Sequence, residues 1–332
     1  MFLSREKRHE FDIFKDYFEM YNPSGFKQFY NSKKYRCYFN PNVYPVFKRD
    51  MHNWFKDKDY YPESHLENPK KDGVWYVKPN EGANGEGIII TDDVRSVDMK
   101  NAVYQKSIDN PLLQDGKKQD IRIFVVLQTY QGHFRSYIYY EAPVRLSPLQ
   151  YDKNDLSKKV QLTNVELYYE KSISETLSGL YEPIELKPKY GKDIMNGRNQ
   201  MMIQFTEHEY FKELYKQVED ITIDFSNDVY NKMNNKTQRN LIHIFGFDFI
   251  TDKNKKVWLL EINNNTHPTV IDGIRYGDHY IGNILIADFT KNLSEDLLNE
   301  LIYPMEYDSD VKLNNFDMVF EKQLKYNKWI FV

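Results

Sequence analysis

The sequence predicts an α+β fold, built mainly from hairpin-connected strands with helices set apart from them. Three observations carry this. Short runs rich in β-branched and aromatic residues recur at 73–78, 87–91, 102–108, 121–127, 242–250 and 257–262. Several are joined by tight turn signals, as at Gln131-Gly132, where 121–127 leads into 134–140, and at Asp252-Lys-Asn-Lys255. Strands and helices do not alternate one for one, which excludes a strict parallel βαβ arrangement.

The elements follow in chain order. Residues 1–60 are broken by Asn22-Pro-Ser-Gly25 and Asn40-Pro-Asn42 into small pieces, a compact N-terminal subdomain. The polar stretch 56–71, with Pro62 and Pro69, marks its end. The runs 73–78 and 87–91 flank a glycine-rich loop and read as strand–loop–strand. Residues 150–200 are polar and lack apolar periodicity, so they are expected to form a long loop region. Over 206–235 apolar residues fall at helical spacing (Tyr210, Phe211, Leu214, Val218, Ile221), and Thr206 with Glu209 suggests a capping box. The stretches 269–290 and 293–302 are expected to be helical. The chain is expected to divide at 1–60, at 61–104 (a central part with the glycine loop) and at 105–332 (a C-terminal part).

Composition narrows the function classes. The chain has 332 residues, 41% hydrophobic and 28% charged, with 27 tyrosines and 21 phenylalanines. That is enough apolar material for two or three packed subdomains. The formal net charge is −4, so no global basic field points to nucleic acid. The single cysteine, Cys37, excludes an internal disulfide and fits a reducing compartment. The first ten residues are charged and lack the apolar core of a signal peptide. No run reaches the about 20 apolar residues of a membrane helix. A cytoplasmic protein with no membrane partner is the expectation.

Two segments carry candidate chemistry. In the first, Trp75-Tyr-Val-Lys78 precedes Gly82, Gly85 and Gly87. Glycines let backbone N–H groups approach phosphate oxygens, and lysine adds a point charge. The pattern is neither a P-loop nor a dinucleotide fingerprint, because no Gly-Lys-Ser/Thr follows and a strand, not a helix, comes next. A phosphate cradle and a plain hairpin turn both remain open on these residues alone. In the second, Asp248 sits in an apolar strand, Phe245-Gly-Phe-Asp-Phe249, and Glu261 and Asn263 lie two apart on the next one. Aspartate is costly to bury without a partner. Residues two apart on a strand share a face, so pairing across the short turn sets Asp248 beside Glu261 and Asn263. Two carboxylates and an amide oxygen suit Mg²⁺; the alternative is a sheet face turned to water. Between the segments, Lys106 and Arg122 interrupt apolar runs. Arg122 reads as a surface position or as a fork for phosphate or carboxylate.

Taken together, these motifs resemble the tubulin–tyrosine ligase and ligase-like family of ATP-grasp amino-acid ligases. The resemblance rests on 75–87, Tyr104-Gln-Lys106, Asp109-Asn-Pro-Leu-Leu113, Gly116-Lys-Lys-Gln-Asp-Ile-Arg122, Leu162-Thr-Asn164, Phe245-Gly-Phe-Asp248 and Trp258-Leu-Leu-Glu-Ile-Asn263, in order, across roughly residues 74–270. It implies an ATP-grasp fold of N-terminal, central and C-terminal subdomains. By resemblance, Lys78 holds the α/β-phosphates and Gly82, Gly85 and Gly87 form a lid. Gln105, Lys106 and Ser107 form the adenine hinge, and Arg122 faces the γ-phosphate and acyl-phosphate. Thr163 and Asn164 lie near ribose and phosphates, and Asp248, Glu261 and Asn263 hold magnesium, with two ions expected. Lys78, Arg122 and Glu261 are then the catalytic residues.

The implied partners are ATP, a free amino acid and an acidic protein tail, tubulin foremost. The implied reaction activates a carboxylate as an acyl-phosphate for attack by an amine, in tyrosination, glutamylation or glycylation. Other readings are a ligase for a different protein or peptide, and a nucleotide- or tubulin-binding protein without catalysis. Gln161 stands where many members have histidine. Lys48 or Arg49, in Phe47-Lys-Arg-Asp50, takes the place of a lysine-bearing N-terminal motif. Lysines at 153, 158, 159, 187, 189 and 192 could meet an acidic tail, although solvated lysine-rich loops give the same pattern.

Overall fold

Two sheets of opposite character face the same space, one of four short strands and one of nine. The computed structural model describes residues 35–36, 43–82, 85–164, 202–233, 240–263, 275–276, 279–280, 292–293, 295–307 and 309–324. In chain order these give strand β1 (Tyr35–Arg36), helix α1 (Lys48–Phe55), then β2 (Ser64–His65), β3 (Trp75–Pro79), β4 (Ile89–Thr91) and β5 (Ala102–Lys106). Next come β6 (Leu113–Gln114), β7 (Lys117–Tyr130), β8 (His133–Tyr139), β9 (Pro143–Gln150) and the short helix α2 (Lys158–Gln161). After β10 (Met202–Gln204) come the long helix α3 (Phe211–Lys232), β11 (Asn240–Thr251) and β12 (Val257–Asn263). The last elements are the pair β13 (Arg275–Tyr276) and β14 (His279–Tyr280), a π-helical turn Leu297–Ile302 leading into α4 (Tyr303–Tyr307), and β15 (Phe316–Gln323).

The small sheet has the order β2-β5-β3-β4, antiparallel throughout. Trp75, Val77, Ala102 and Tyr104 are buried on one of its faces, with Val94. Strand alternation therefore turns Tyr76, Lys78 and Gln105 to the other face. The expected boundary between residues 104 and 105 falls inside β5, which pairs with β3 along its whole length and so belongs to this sheet as a unit.

The large sheet is centred on β7 and β11, paired antiparallel from Leu241↔Thr129 to Phe249↔Ile121. β12 pairs with the end of β11, and β8 and β9 with different halves of β7. Ile121, Ile123, Val125 and Leu127 of β7 and Phe245, Phe247 and Phe249 of β11 point to one face. There they pack on the apolar stripe of α3 (Leu214, Val218, Ile221, Phe225, Val229). Phe225 meets Phe247 edge-on with ring centroids 5.1 Å apart, an arrangement that aromatic quadrupoles favour. The opposite face is split. Phe124, Val126, Ile242 and Ile244 pack on Leu297, Leu301 and Met305 at one end. At the other end the same alternation places Asp120, Arg122, Asp248, Glu261 and Asn263 on this face.

Some expectations are corrected. Helix α3 starts at Phe211, not 206, and no Thr206–Glu209 box forms; residues 205–207 make a separate 3₁₀ turn. His208 causes this, since its Nδ1 accepts the Tyr210 N–H at 3.1 Å and holds the chain out of helix. Within 269–290, the four described residues pair as strands β13 and β14 rather than forming a helix. The region 150–200 opens with the end of β9 and holds α2, and 165–201 lies outside the described residues. The turn at 252–255 forms as expected, with Asp252 Oδ1 accepting the Asn254 N–H at 2.8 Å. Among the described residues, no helix is long and apolar enough to cross a membrane.

Candidate active site between the two sheets

The site is a row of charges on the β7–β11–β12 face, closed from the other side by β3 and the glycine loop. Register builds the row. Asp248 lies opposite Arg122 on one side and Glu261 on the other, so three polar side chains stand abreast on one face. A β-bulge just beyond Asp248 keeps Glu261 and Asn263 on this face while Leu259 enters the core. Arg122 grips Asp248 with both arms, Nε to Oδ1 and Nη2 to Oδ2 at 2.8 Å. Asn263 Nδ2 donates to Oδ2 at 3.2 Å. Asp248 is buried. Burial pushes its carboxyl up, but the Arg122 and Arg145 guanidiniums outweigh this and hold it below the usual carboxylate range.

Arg145, which the sequence reading did not single out, completes the row. It lies opposite Asp120 in the β7–β9 register. Its guanidinium donates to both Asp120 oxygens at 2.7 and 2.5 Å and reaches Asp248 Oδ1 at 3.1 Å. The signal was present: Val144 and Leu146 are apolar on either side of Arg145, the alternation of a half-buried strand.

From the small sheet, the Lys78 ammonium donates to Gln105 Oε1 at 2.5 Å. Burial pushes Lys78 down to about 8, with Glu261 and Asp248 opposing. Lys118, also missed from sequence, is a second ammonium of this region and is buried. It donates to the Tyr76 hydroxyl at 2.6 Å, and burial lowers it to about 8 as well. Tyr76 in turn donates to Gln161 Oε1 at 3.1 Å. Gln161 is anchored by its amide nitrogen to the Asp155 carbonyl at 2.8 Å.

The glycine loop is gripped from both sides. The Lys48 ammonium donates to the Gly82 carbonyl at 2.9 Å, and Lys158 to that of Gly85 at 3.0 Å. Gly82, Gly85 and Gly87 all have positive φ, the region where glycine carries no Cβ penalty. A Cβ on Gly85 would lie 3.1 Å from Asn164 Oδ1, and one on Gly87 2.8 Å from Pro79 Cγ. The loop therefore reaches the Leu162-Thr163-Asn164 segment across the cleft.

Of the residues expected at the site, the structure brings Arg122, Asp248, Glu261 and Asn263 together on one face. It joins Lys78 to Gln105, and Gly85 to Asn164. Lys106 is turned away. It stands opposite Trp75 on the other face of the small sheet, with its ammonium 3.7 Å from Glu63 Oε2. Ser107 continues β5, donating its N–H to Val74. Lys48 reaches Glu261 Oε1 at 3.2 Å, whereas Arg49 faces the Leu66 and Ala102 carbonyls. Asn264, Asn265, His267 and Cys37 lie outside the described residues.

The donor set fits a hard divalent cation. Asp248, Glu261 and Asn263 offer two carboxylates and an amide oxygen from one face, and each carboxylate already holds a protein cation, Arg122 or Lys48. The Asn263 amide, which here turns its nitrogen to Asp248, must rotate to present its oxygen.

A family model described as the Tubulin-tyrosine ligase family matches residues 5–295. The chain is 30% identical over 210 residues to "Probable tubulin polyglutamylase TTLL2" of Mus musculus, covering 59% of this chain and 34% of that one. It is 23% identical over 285 residues to "Tubulin polyglutamylase TTLL6" of Homo sapiens, covering 77% and 30%. With "Tubulin glycylase 3B" of Tetrahymena thermophila it shares 24% identity over 228 residues, covering 63% and 17%. The chain thus spans a third or less, to within a percentage point, of the length of these curated relatives.

Proposed function

The chain belongs to the tubulin-tyrosine ligase family, and from that premise we propose that it is an ATP-dependent carboxylate–amine ligase acting on an acidic protein tail, a tubulin tail foremost. One observation carries the reading. The half-buried Lys78 and the glycine loop of one sheet face the Arg122–Asp248–Glu261–Asn263 row of the other, an ammonium on one wall and hard oxygens on the other.

ATP lies between the walls. Lys78 and the loop hold its phosphates, and Gln105, Ser107, Thr163 and Asn164 hold base and ribose, while Lys106 stays on the far face of β5. The γ-phosphoryl group passes to a carboxylate oxygen of the acceptor, giving an acyl-phosphate and ADP. The amine of a free amino acid attacks the acyl carbon, the C–O bond to phosphate breaks, and the amine proton is lost as the peptide or isopeptide bond forms. This needs in-line positioning and charge neutralisation rather than a protein nucleophile. Arg122 is aimed at the transferring group, where its planar fork matches phosphate or carboxylate. Asp248, Glu261 and Asn263 would hold Mg²⁺, two ions in our reading, and the metal would supply positive charge to neutralise the phosphates. The names of the relatives favour glutamate or glycine over tyrosine as the amino acid transferred. A tubulin substrate places the enzyme in the cytoplasm.

The test is ADP release with tubulin and each of glutamate, glycine and tyrosine in turn. The wild type is expected to release ADP only when acceptor and the right amino acid are both present. Glu261→Gln, folded by circular dichroism, is expected to release none. Full turnover in Glu261→Gln would remove the metal assignment.

A further inference from the structure

Helix α1 touches both walls of the cleft through adjacent residues. The Lys48 ammonium donates to the Gly82 carbonyl at 2.9 Å and lies 3.2 Å from Glu261 Oε1. One turn on, the buried Met51 accepts the Ile262 N–H on its sulfur at 3.2 Å, next to Glu261 in β12. Arg49 fixes the same helix to the small sheet: its N–H donates to Asn80 Oδ1 at 3.0 Å and its guanidinium to the Ala102 carbonyl at 3.3 Å. Asp50 caps the helix start by accepting the Phe47 N–H at 3.0 Å. The helix is thus anchored twice, and its first side chain is shared between the loop and the carboxylate. The Lys48 side chain is 14% exposed, so solvent screens it little.

We propose that Lys48 is a positioning residue that latches the glycine loop to Glu261, so that drawing Glu261 to a divalent cation and loosening the loop are one coupled event. This rests on the reading of Glu261 as a metal ligand. An ammonium and a divalent cation compete for the same carboxylate. When the cation takes Glu261, Lys48 loses one of its two partners and its hold on Gly82 weakens. Linkage requires the reverse as well: a loop drawn down on Lys48 opposes cation binding.

The test reads the loop, not turnover. Hydrogen exchange at the Gly85, Gly87 and Ile88 amides is followed in wild type, Lys48→Met, Glu261→Gln and the double variant, each without ligand and with Mn²⁺. Without Mn²⁺, each single variant is expected to speed loop exchange about two- to fivefold, the scale of one partly exposed ion pair. The double variant is expected to go no further, because both changes break one link. Lys48→Arg is expected to restore slow exchange, which separates a lost charge from a misfolded helix. Mn²⁺ is expected to speed loop exchange in wild type and to leave Lys48→Met unchanged. Additive effects in the double variant, or an unchanged loop in Glu261→Gln, would overturn the latch. Mn²⁺ that binds wild type but not Glu261→Gln, while leaving the wild-type loop unmoved, would overturn the latch and leave the metal reading intact. If Mn²⁺ binds neither protein, the metal reading falls and the coupling with it.

Discussion

Arg122 and Asp248 face one another across β7 and β11 and share two guanidinium nitrogens with two carboxylate oxygens. The pair ties the cation proposed to meet the transferring group to the carboxylate proposed to hold metal, so neither moves alone. Removing Arg122 leaves the buried Asp248 carboxylate with Arg145, itself shared with Asp120, as its remaining guanidinium. Arg122→Met is therefore expected to cost about 3 kcal/mol of stability, measured by urea unfolding at neutral pH.

The same pair sets an acid limit. The folded-state pKa of Asp248 is depressed. Its contribution to stability is therefore present above the unfolded-state pKa and lost as pH falls through the folded one. Weakening its cationic partners raises the folded-state pKa. In Arg122→Met the gap between folded and unfolded values narrows, so the acid loss of stability due to Asp248 should be smaller and be complete at a higher pH than in wild type, and urea midpoints over the range below about pH 5 would read it.

Lys78 and Lys118 predict the opposite limb. Burial lowers both to about 8, so between there and their ordinary range the unfolded chain binds more protons than the folded one. Stability should rise with pH across that window. Phosphate restores the charged form of Lys78, so nucleotide binding at a pH just above 8 should take up protons. Calorimetry in two buffers of different ionisation enthalpy would measure the uptake, which Lys78→Met should reduce. A buffer-independent enthalpy in wild type would count against a phosphate beside Lys78.

The strands that carry the site were legible because their patterns are local. Lys78 ends an apolar run before glycines, and Asp248 interrupts Phe245, Phe247 and Phe249, so both announce a polar demand inside a buried strand. The Glu261–Asn263 spacing and the turn at 252–255 fixed which face they share. Lys118 was not legible, and the alternation around Arg145 marked only a half-buried strand, since the partners of both come from register between segments far apart in sequence. The side on which Lys106 would lie was hidden for the same kind of reason. It depends on which face of β5 packs Trp75 and Tyr104, a fact of tertiary packing. The start of α3 was misplaced because a single side-chain acceptor on His208 outcompeted an expected cap.

The loop offers a geometric test. Gly85 has φ +74°, and a Cβ there would press on Asn164 Oδ1 at 3.1 Å and Leu162 Cδ1 at 3.2 Å. A left-handed non-glycine residue costs roughly 1–2 kcal/mol. Gly85→Ala is expected to destabilise the nucleotide-free protein by about 1–2 kcal/mol, or to pull the loop away from Asn164. Urea unfolding of the nucleotide-free protein, with hydrogen exchange at the loop amides, would measure it.

The core offers a test of the scaffold. Phe225 is fully buried and meets Phe245 and Phe247 edge-on. Phe225→Ala should cost about 3–5 kcal/mol and lower the thermal midpoint of the whole large sheet, read by calorimetry.

The central claim is that this cleft uses ATP to join an amino acid to an acidic tail. Mass spectrometry of tubulin after incubation with ATP, glutamate, glycine and tyrosine tests it most directly. The account predicts whole amino-acid residues added to a tail glutamate or terminus in wild type, and none in Glu261→Gln or without ATP. Tubulin left unmodified by the folded wild type with every amino acid, or modified equally by Glu261→Gln, would contradict it.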